Sequence, residues 1–201
     1  MHVVGRGRGQ DLVLSATDLA NFLGCRHKTA LDMAVAYGKR DRPFVDDPLL
    51  VALRERGFEH ERRYVDSLRA AGGSIVDLTS IGDPEEQIKE TREAMAKGVD
   101  VIVQGVLADG HWLGRPDVMC RVPTKSVLGD WSYEISDTKL AKETKAGTIL
   151  QLGLYSDMLG VLQETRPEFF HVITPNEINP KETYRVDDYA AYFRLDTSPS
   201  D

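Results

Sequence analysis

From Ser15 to Tyr37 the apolar positions recur at helical spacing, with Leu19, Phe22 and Leu23 on one side. Ser15 or Thr17 offers the N-cap that would start such a helix, and Gly38 would stop it. The charged stretch Lys39 to Pro48 contains Pro43 and Pro48 and reads as a loop. A second helix is predicted from Leu49 to Ala71, with Leu50, Leu53, Tyr64 and Leu68 on one face and Gly72-Gly73 at its end. Ser74 to Leu78 reads as a short strand. Asp83-Pro84-Glu85 is a helix start, with an early proline and acids near the positive end of the dipole, and that helix runs to Gly98.

There the period changes from helical to alternating. Val99 to Ala108 reads as a strand, Asp109-Gly110 as a hairpin turn and His111 to Cys120 as the return. A polar loop through Pro123 and Gly129 leads to a third strand, Trp131 to Leu140. A helix from Glu143 to Glu164 follows, then a strand from Phe169 to Thr174, a loop from Pro175 to Pro180, a short strand near Tyr184 and a final helix from Asp187. This order predicts an α/β fold, a mixed central sheet flanked by helices.

The 201 residues suit one domain, expected to span 1–201 with residues 1–13 as a flexible leader and 196–201 as a flexible tail. Hydrophobic content of 41% and charged content of 28% are those of an ordinary globular chain. No apolar run approaches the roughly 18 residues of a membrane span, so no membrane partner is expected. The stretch Met1 to Gln10 has basic residues but no apolar run behind them, so it does not read as a secretory signal, and the expected location is cytoplasmic. Cys25 and Cys120 are too few and too far apart for a zinc site or a disulfide framework. A net charge of −7 argues against a protein that coats DNA, though a carboxylate metal site is acidic of necessity. No P-loop, dinucleotide-binding glycine turn or HExxH is present.

The candidate chemistry lies in Gly114-Arg-Pro-Asp117 and Glu134-Ile-Ser-Asp-Thr-Lys139, each on its own predicted strand. Side chains alternate along a strand, so Asp137 and Lys139 point the same way. If the two strands are neighbours, Asp117 can approach Asp137 closely enough to share a cation. Adjacent carboxylates repel unless a proton or metal lies between them, and Mg²⁺ or Mn²⁺, a hard cation, is the expected cofactor. Lys139 would then stand beside the attacking water, to orient it or help deprotonate it, and would offset charge on the phosphate. An isolated D-x-K occurs often by chance, but with Arg-Pro-Asp117 upstream the pattern resembles the PD-(D/E)xK nuclease superfamily.

Two further segments are similar to the RecB-like branch of that superfamily. Gly57-Phe-Glu-His60-Glu61 resembles its upstream glycine-and-histidine motif, and Gln151-Leu-Gly-Leu-Tyr155 resembles its Q-x-x-x-Y motif. Taken alone, His60 reads as a core histidine at helical spacing with Leu53 and Tyr64, and Glu61 as a solvated charge. Gln151 and Tyr155 share a helix face, and alone Tyr155 would read as core and Gln151 as incidental. The resemblance covers about Leu14 to Thr174. It implies a restriction-endonuclease-like core with His60, Asp117, Asp137 and the Thr138 carbonyl as metal ligands, Lys139 handling the water, and Gln151 with Tyr155 steadying the site or contacting the DNA backbone. Arg115, Lys142 and Lys145 would contact DNA, and Arg121 and Lys125 are expected in the adjacent loop.

The resemblance further implies a metal-dependent DNA nuclease acting on DNA ends or single strands in repair or recombination. A non-catalytic DNA-binding or assembly module that keeps the nuclease fold is the second reading, and a metal hydrolase of small phosphoesters the third. Ser15 to Cys25 is similar to the start of RecB-like proteins in which a cysteine at this place joins an iron–sulfur cluster with three cysteines beyond the nuclease core. This chain has no cysteine after Cys120, so it is not expected to build that cluster alone. The implied explanation is a fragment or a shortened relative, and a helicase domain or subunit is an expected partner.

Overall fold

A computed structural model describes residues 12–43, 47–178 and 180–194. The expected tail, most of the expected leader and residues 44–46 of the expected loop lie outside the described residues. The elements in chain order are β1 (Leu14–Ser15), α1 (Ala16–Gly24), α2 (Arg26–Ala36), α3 (Pro48–Ala70), β2 (Ile75–Asp77), α4 (Pro84–Ala96), β3 (Val101–Val103), β4 (Leu107–Asp109) and β5 (Trp112–Gly114). They continue with β6 (Val118–Val122), β7 (Ser132–Thr138), α5 (Ala146–Gln163), β8 (Phe169–Ile173), β9 (Lys181–Arg185) and α6 (Val186–Arg194). The fold is mixed α/β. Six strands form a mixed sheet in the order β2-β3-β6-β7-β8-β9, and three form a second in the order β1-β5-β4. Among the described residues no helix is long and apolar enough to cross a membrane.

The alternation of side chains sorts the large sheet into two packed faces. Ile102, Met119, Tyr133, Ile135 and Phe170 pack on one face with residues of α1, α4, α5 and α6. Val101, Val103, Val118 and Cys120 point to the other face, where Tyr64, Val65 and Leu68 of α3 cover them. Helix α5 is buried on several sides, through Leu152, Leu154, Tyr155, Met158 and Leu159, because it is sandwiched between the sheet and α1 and α6. The helix starts follow local chemistry. Pro48 opens α3 with Asp47 capping Leu49 N–H, Asp83 caps Glu86 N–H in α4, and Ser15 with Asp18 forms a capping box on α1.

Three expectations change. The single helix expected from residue 15 to 37 is two helices, broken at Cys25, whose backbone is extended at φ −162 and ψ 99. Gly24 weakens the helix there, and the Cys25 thiol accepts the Lys28 N–H at 3.4 Å, starting α2 afresh. The two long hairpin strands are also each divided. Around the expected turn, β4 and β5 pair with each other and β5 pairs with β1, whereas β3 and β6 stay in the large sheet. The breaks fall at Gln104-Gly105 and at Arg115-Pro116, where φ is +53 at Gln104 and Pro116 has no N–H to give a ladder. Finally, Leu50 and Leu53 do not share a buried face with Tyr64 and Leu68. They are 48% and 42% exposed because the first half of α3 is not covered by the sheet.

Candidate active site

The division of the hairpin strands puts Asp117 at the corner where the chain passes from one sheet to the other. Strands β6 and β7 are antiparallel with Val118 opposite Ser136, so one step further Asp117 stands opposite Asp137. The Asp117 carbonyl accepts the Gln104 N–H at 2.8 Å, which closes the corner. Asp117 Oδ2 accepts both the backbone N–H and the hydroxyl of Thr138, at 2.8 and 2.9 Å. The expected facing of the two carboxylates is therefore a property of the ladder.

Asp137 is 1% exposed. The Lys139 ammonium lies against its Oδ2 as an ion pair. Burial, then the charge of Asp117, pushes the Asp137 carboxyl up to about 7, against the pull of Lys139. Burial opposes the charge of Lys139, but Asp137 and then Asp117 outweigh it and hold the ammonium above its usual range. Lys139 is accordingly a proton-bearing group at neutral pH.

Glu61 is not the solvated charge expected from sequence. It is half-buried, its Oε1 accepts Gln104 Nε2–H at 2.6 Å, and its carboxyl is raised by burial first and by Asp117 second. The signal was present in the helix period, since Glu61 lies one turn before buried Val65. Gln104, in a left-handed conformation unusual for a residue with a side chain, joins Glu61 to Asp117 and belongs to no motif.

His60 reaches the end of β8, where its Nε2 lies 3.0 Å from the Ile173 carbonyl. That oxygen also accepts the Lys139 N–H at 2.9 Å, which places His60 beside the D-x-K strand. A carbonyl only accepts, so Nε2 is the donor in this contact. Gln151 Nε2 donates to the Tyr155 hydroxyl at 3.2 Å. Tyr155 is 4% exposed, and Asp137 and Asp117 are close enough to disfavour its ionisation after burial has done so. Its ring lies on Gly114, where any Cβ would come within 2.8 Å of Tyr155 Cδ1.

The basic residues divide into two groups. Arg115 precedes Asp117 and is held by Gln87 of α4, whose Oε1 accepts from Nη2 at 2.8 Å. Lys142 and Lys145 are exposed on the connection from β7 to α5, at the Asp137 end of the sheet. Arg121 and Lys125, expected near the site, are not. Arg121 pairs with Tyr133, at the opposite end of β6–β7, and its guanidinium is ion-paired with Asp100. Four residues of extended strand from Asp117 to Arg121 span about 13 Å, and Lys125 lies beyond. Cys25 is exposed and Cys120 half-buried, and both are free thiols.

The donor set suits a hard cation. Three carboxylates, Glu61, Asp117 and Asp137, repel one another with Lys139 as the close counter-charge, and their oxygens are the ligands that Mg²⁺ or Mn²⁺ prefers. As the side chains stand, no three His, Cys, Asp or Glu groups among the described residues come together closely enough to hold a metal ion between them. Mg²⁺ is commonly held by one or two carboxylates with water and substrate phosphate completing its shell, so the arrangement fits an open site. No protein-family model matches this chain, and no curated protein matches it. What fold and site define is a mixed α/β protein with a buried carboxylate–lysine cluster at the junction of two sheets.

Proposed function

We propose that this chain is a RecB-like nuclease domain with a restriction-endonuclease-like core, a divalent-metal-dependent deoxyribonuclease that hydrolyses phosphodiester bonds at DNA ends or in single strands during repair or recombination. The observation that carries the reading is Asp117 opposite Asp137 across the β6–β7 ladder with Lys139 on Asp137. The motif resemblance supports it, as does the convergence of His60, Gln151 and Tyr155 on the same end of the sheet.

In this reading Asp117 and Asp137 hold the metal, with His60 and the Thr138 carbonyl as further ligands. The bound cation supplies Lewis acidity and neutralises charge at the phosphate. Hydrolysis joins a water oxygen to phosphorus and breaks one bridging P–O bond. Lys139, whose ammonium lies on Asp137, orients the water or helps to deprotonate it and stabilises the charged phosphate oxygens. Glu61, raised by burial and by Asp117, is placed to accept the water's proton. Tyr155 and Gln151 fix the position of the cluster from α5, and Arg115, Lys142 and Lys145 contact backbone phosphates. A helicase domain or subunit is a proposed partner.

The test is cleavage of single- and double-stranded DNA with Mn²⁺, with Mg²⁺ and with chelator. Metal-dependent cleavage that disappears in both Asp137→Ala and Lys139→Ala is the expected result. Full activity in either variant removes the proposal.

A further inference from the structure

A groove of about 490 Å³ runs between α3 and the C-terminal ends of β2 and β3. Its walls are Phe58, Glu61 and Val65 on the helix side and Asp77, Val103 and Gln104 on the sheet side. Glu61 and Gln104 belong to the carboxylate cluster as well, and Gln104 N–H holds the Asp117 carbonyl. The groove is therefore continuous with the place where the scissile phosphate would lie. Its size is that of a small-molecule pocket.

The composition of the groove decides what fits. Val65 and Val103 make an apolar floor, and Phe58, 63% exposed, presents an aromatic face at the rim. Two arginines of α3 border it, but Arg62 is ion-paired with Glu59 and Arg69 with Asp66. Glu61 and Asp77 are acceptors that repel a backbone phosphate, and the other polar residues of the lining, Gln104 and Thr79, donate to them, which leaves one oxygen of each carboxylate for a ligand. A flat neutral ring with amino or imino donors meets both the floor and the acceptors. In a duplex those donors are already used by the opposite base and the ring is stacked inside the helix.

We propose that this groove receives an unpaired nucleobase of the strand being cut, stacked against Phe58, and so selects single-stranded over paired DNA. The proposal rests on the nuclease reading for the position of the phosphate. The stacking contact is expected to be worth roughly tenfold or more in apparent affinity.

The experiment is a cycle between protein and substrate. Mn²⁺-dependent cleavage is measured for wild type, Phe58→Ala and Phe58→Trp, on a single-stranded oligonucleotide, on the same oligonucleotide with abasic sugars around the cut, and on bis(4-nitrophenyl) phosphate. Phe58→Ala is expected to raise KM for the base-bearing strand by about tenfold relative to the abasic strand, with Phe58→Trp restoring it. A loss equal on all three substrates, or none on the base-bearing strand, overturns the groove assignment. If wild type cleaves none of them, the nuclease reading falls, and binding of the same two oligonucleotides followed by anisotropy decides the groove. A base-dependent loss of affinity in Phe58→Ala then supports it, and equal affinities overturn it.

Discussion

Glu134 and Asp137 are both nearly fully buried carboxylates on β7, at 8% and 1% exposure, and three positions apart they face opposite sides of the sheet. Glu134 is matched. Its Oε1 accepts the Phe169 N–H at 3.1 Å, its Oε2 lies 3.2 Å from His171 Nε2, and His171 Nδ1 lies 3.0 Å from the Thr183 hydroxyl. The row ties β7, β8 and β9 together and leaves little for a ligand to improve. Asp137 is crowded by Asp117 and Glu61, and the Lys139 ammonium on its Oδ2 is its one close counter-charge among the described residues. Buried charge that is satisfied holds a fold together, and buried charge that is frustrated waits for a partner. The two carboxylates should therefore fail differently when altered.

The largest contrast is in activity. Asp137→Asn should lower metal-dependent DNA cleavage by at least about a thousandfold while the protein stays folded, because it removes a ligand and relieves repulsion at once. Glu134→Ala should leave the specific activity of the folded fraction within about twofold. The reverse holds for stability. Glu134→Ala orphans His171 and the Phe169 N–H and should cost about 2–4 kcal/mol in urea unfolding, whereas Asp137→Asn should be neutral or stabilising at pH 7.5. Equal stability losses in the two variants would remove the distinction.

A cation should relieve only the frustrated site. Saturating Mn²⁺ at about 100 times its dissociation constant should stabilise wild type by about 2.7 kcal/mol and leave Asp137→Asn unmoved. The same repulsion sets a pH dependence. The Asp137 carboxyl titrates higher in the folded chain, about 7, than its ordinary value of 3.8, so the unfolded chain gives up this proton first as pH rises. Without divalent metal, the stability from this group is full below pH ~4 and lost as pH climbs to ~7. Melting scans should show wild type falling by roughly 10 °C more than Asp137→Asn across that window. Parallel curves would mean that Asp137 is not the group responsible.

The smallest effects separate the two ends of the sheet. Lys142→Ala should lower the salt dependence of DNA binding by about one unit of slope, as loss of a phosphate contact does. Arg121→Ala, whose ion pair with Asp100 lies at the far end, should leave that slope unchanged and cost no more than about 0.5 kcal/mol.

Much of the architecture was legible locally. The D-x-K alternation, the Asp109-Gly110 turn, the helix start at Pro84 and the i, i+4 pair Gln151–Tyr155 are set by residues within a few positions of each other, and the structure keeps all of them. The break at Cys25 and the splitting of the two hairpin strands were not legible, because an alternating pattern does not say which sheet a strand joins. Glu61 was underestimated for a similar reason. A glutamate one turn from the core reads as solvated until a partner such as Gln104 arrives from 43 positions away. Arg121 and Lys125 were placed near the site by proximity in sequence, and strand direction carried them off.

By itself, then, the sequence determined the chemical types at the site and the periods that put Asp137 beside Lys139 and Gln151 beside Tyr155. Those relations depend only on backbone geometry repeating every two residues or every turn. Only the tertiary structure decided that Asp117 faces Asp137, that Glu61 and His60 come to the same corner, and that Glu134 finds its partners on the opposite face. Register, crossover and burial join residues far apart in the chain, and it is burial in company with other carboxylates that pushes the Asp137 carboxyl up to about 7.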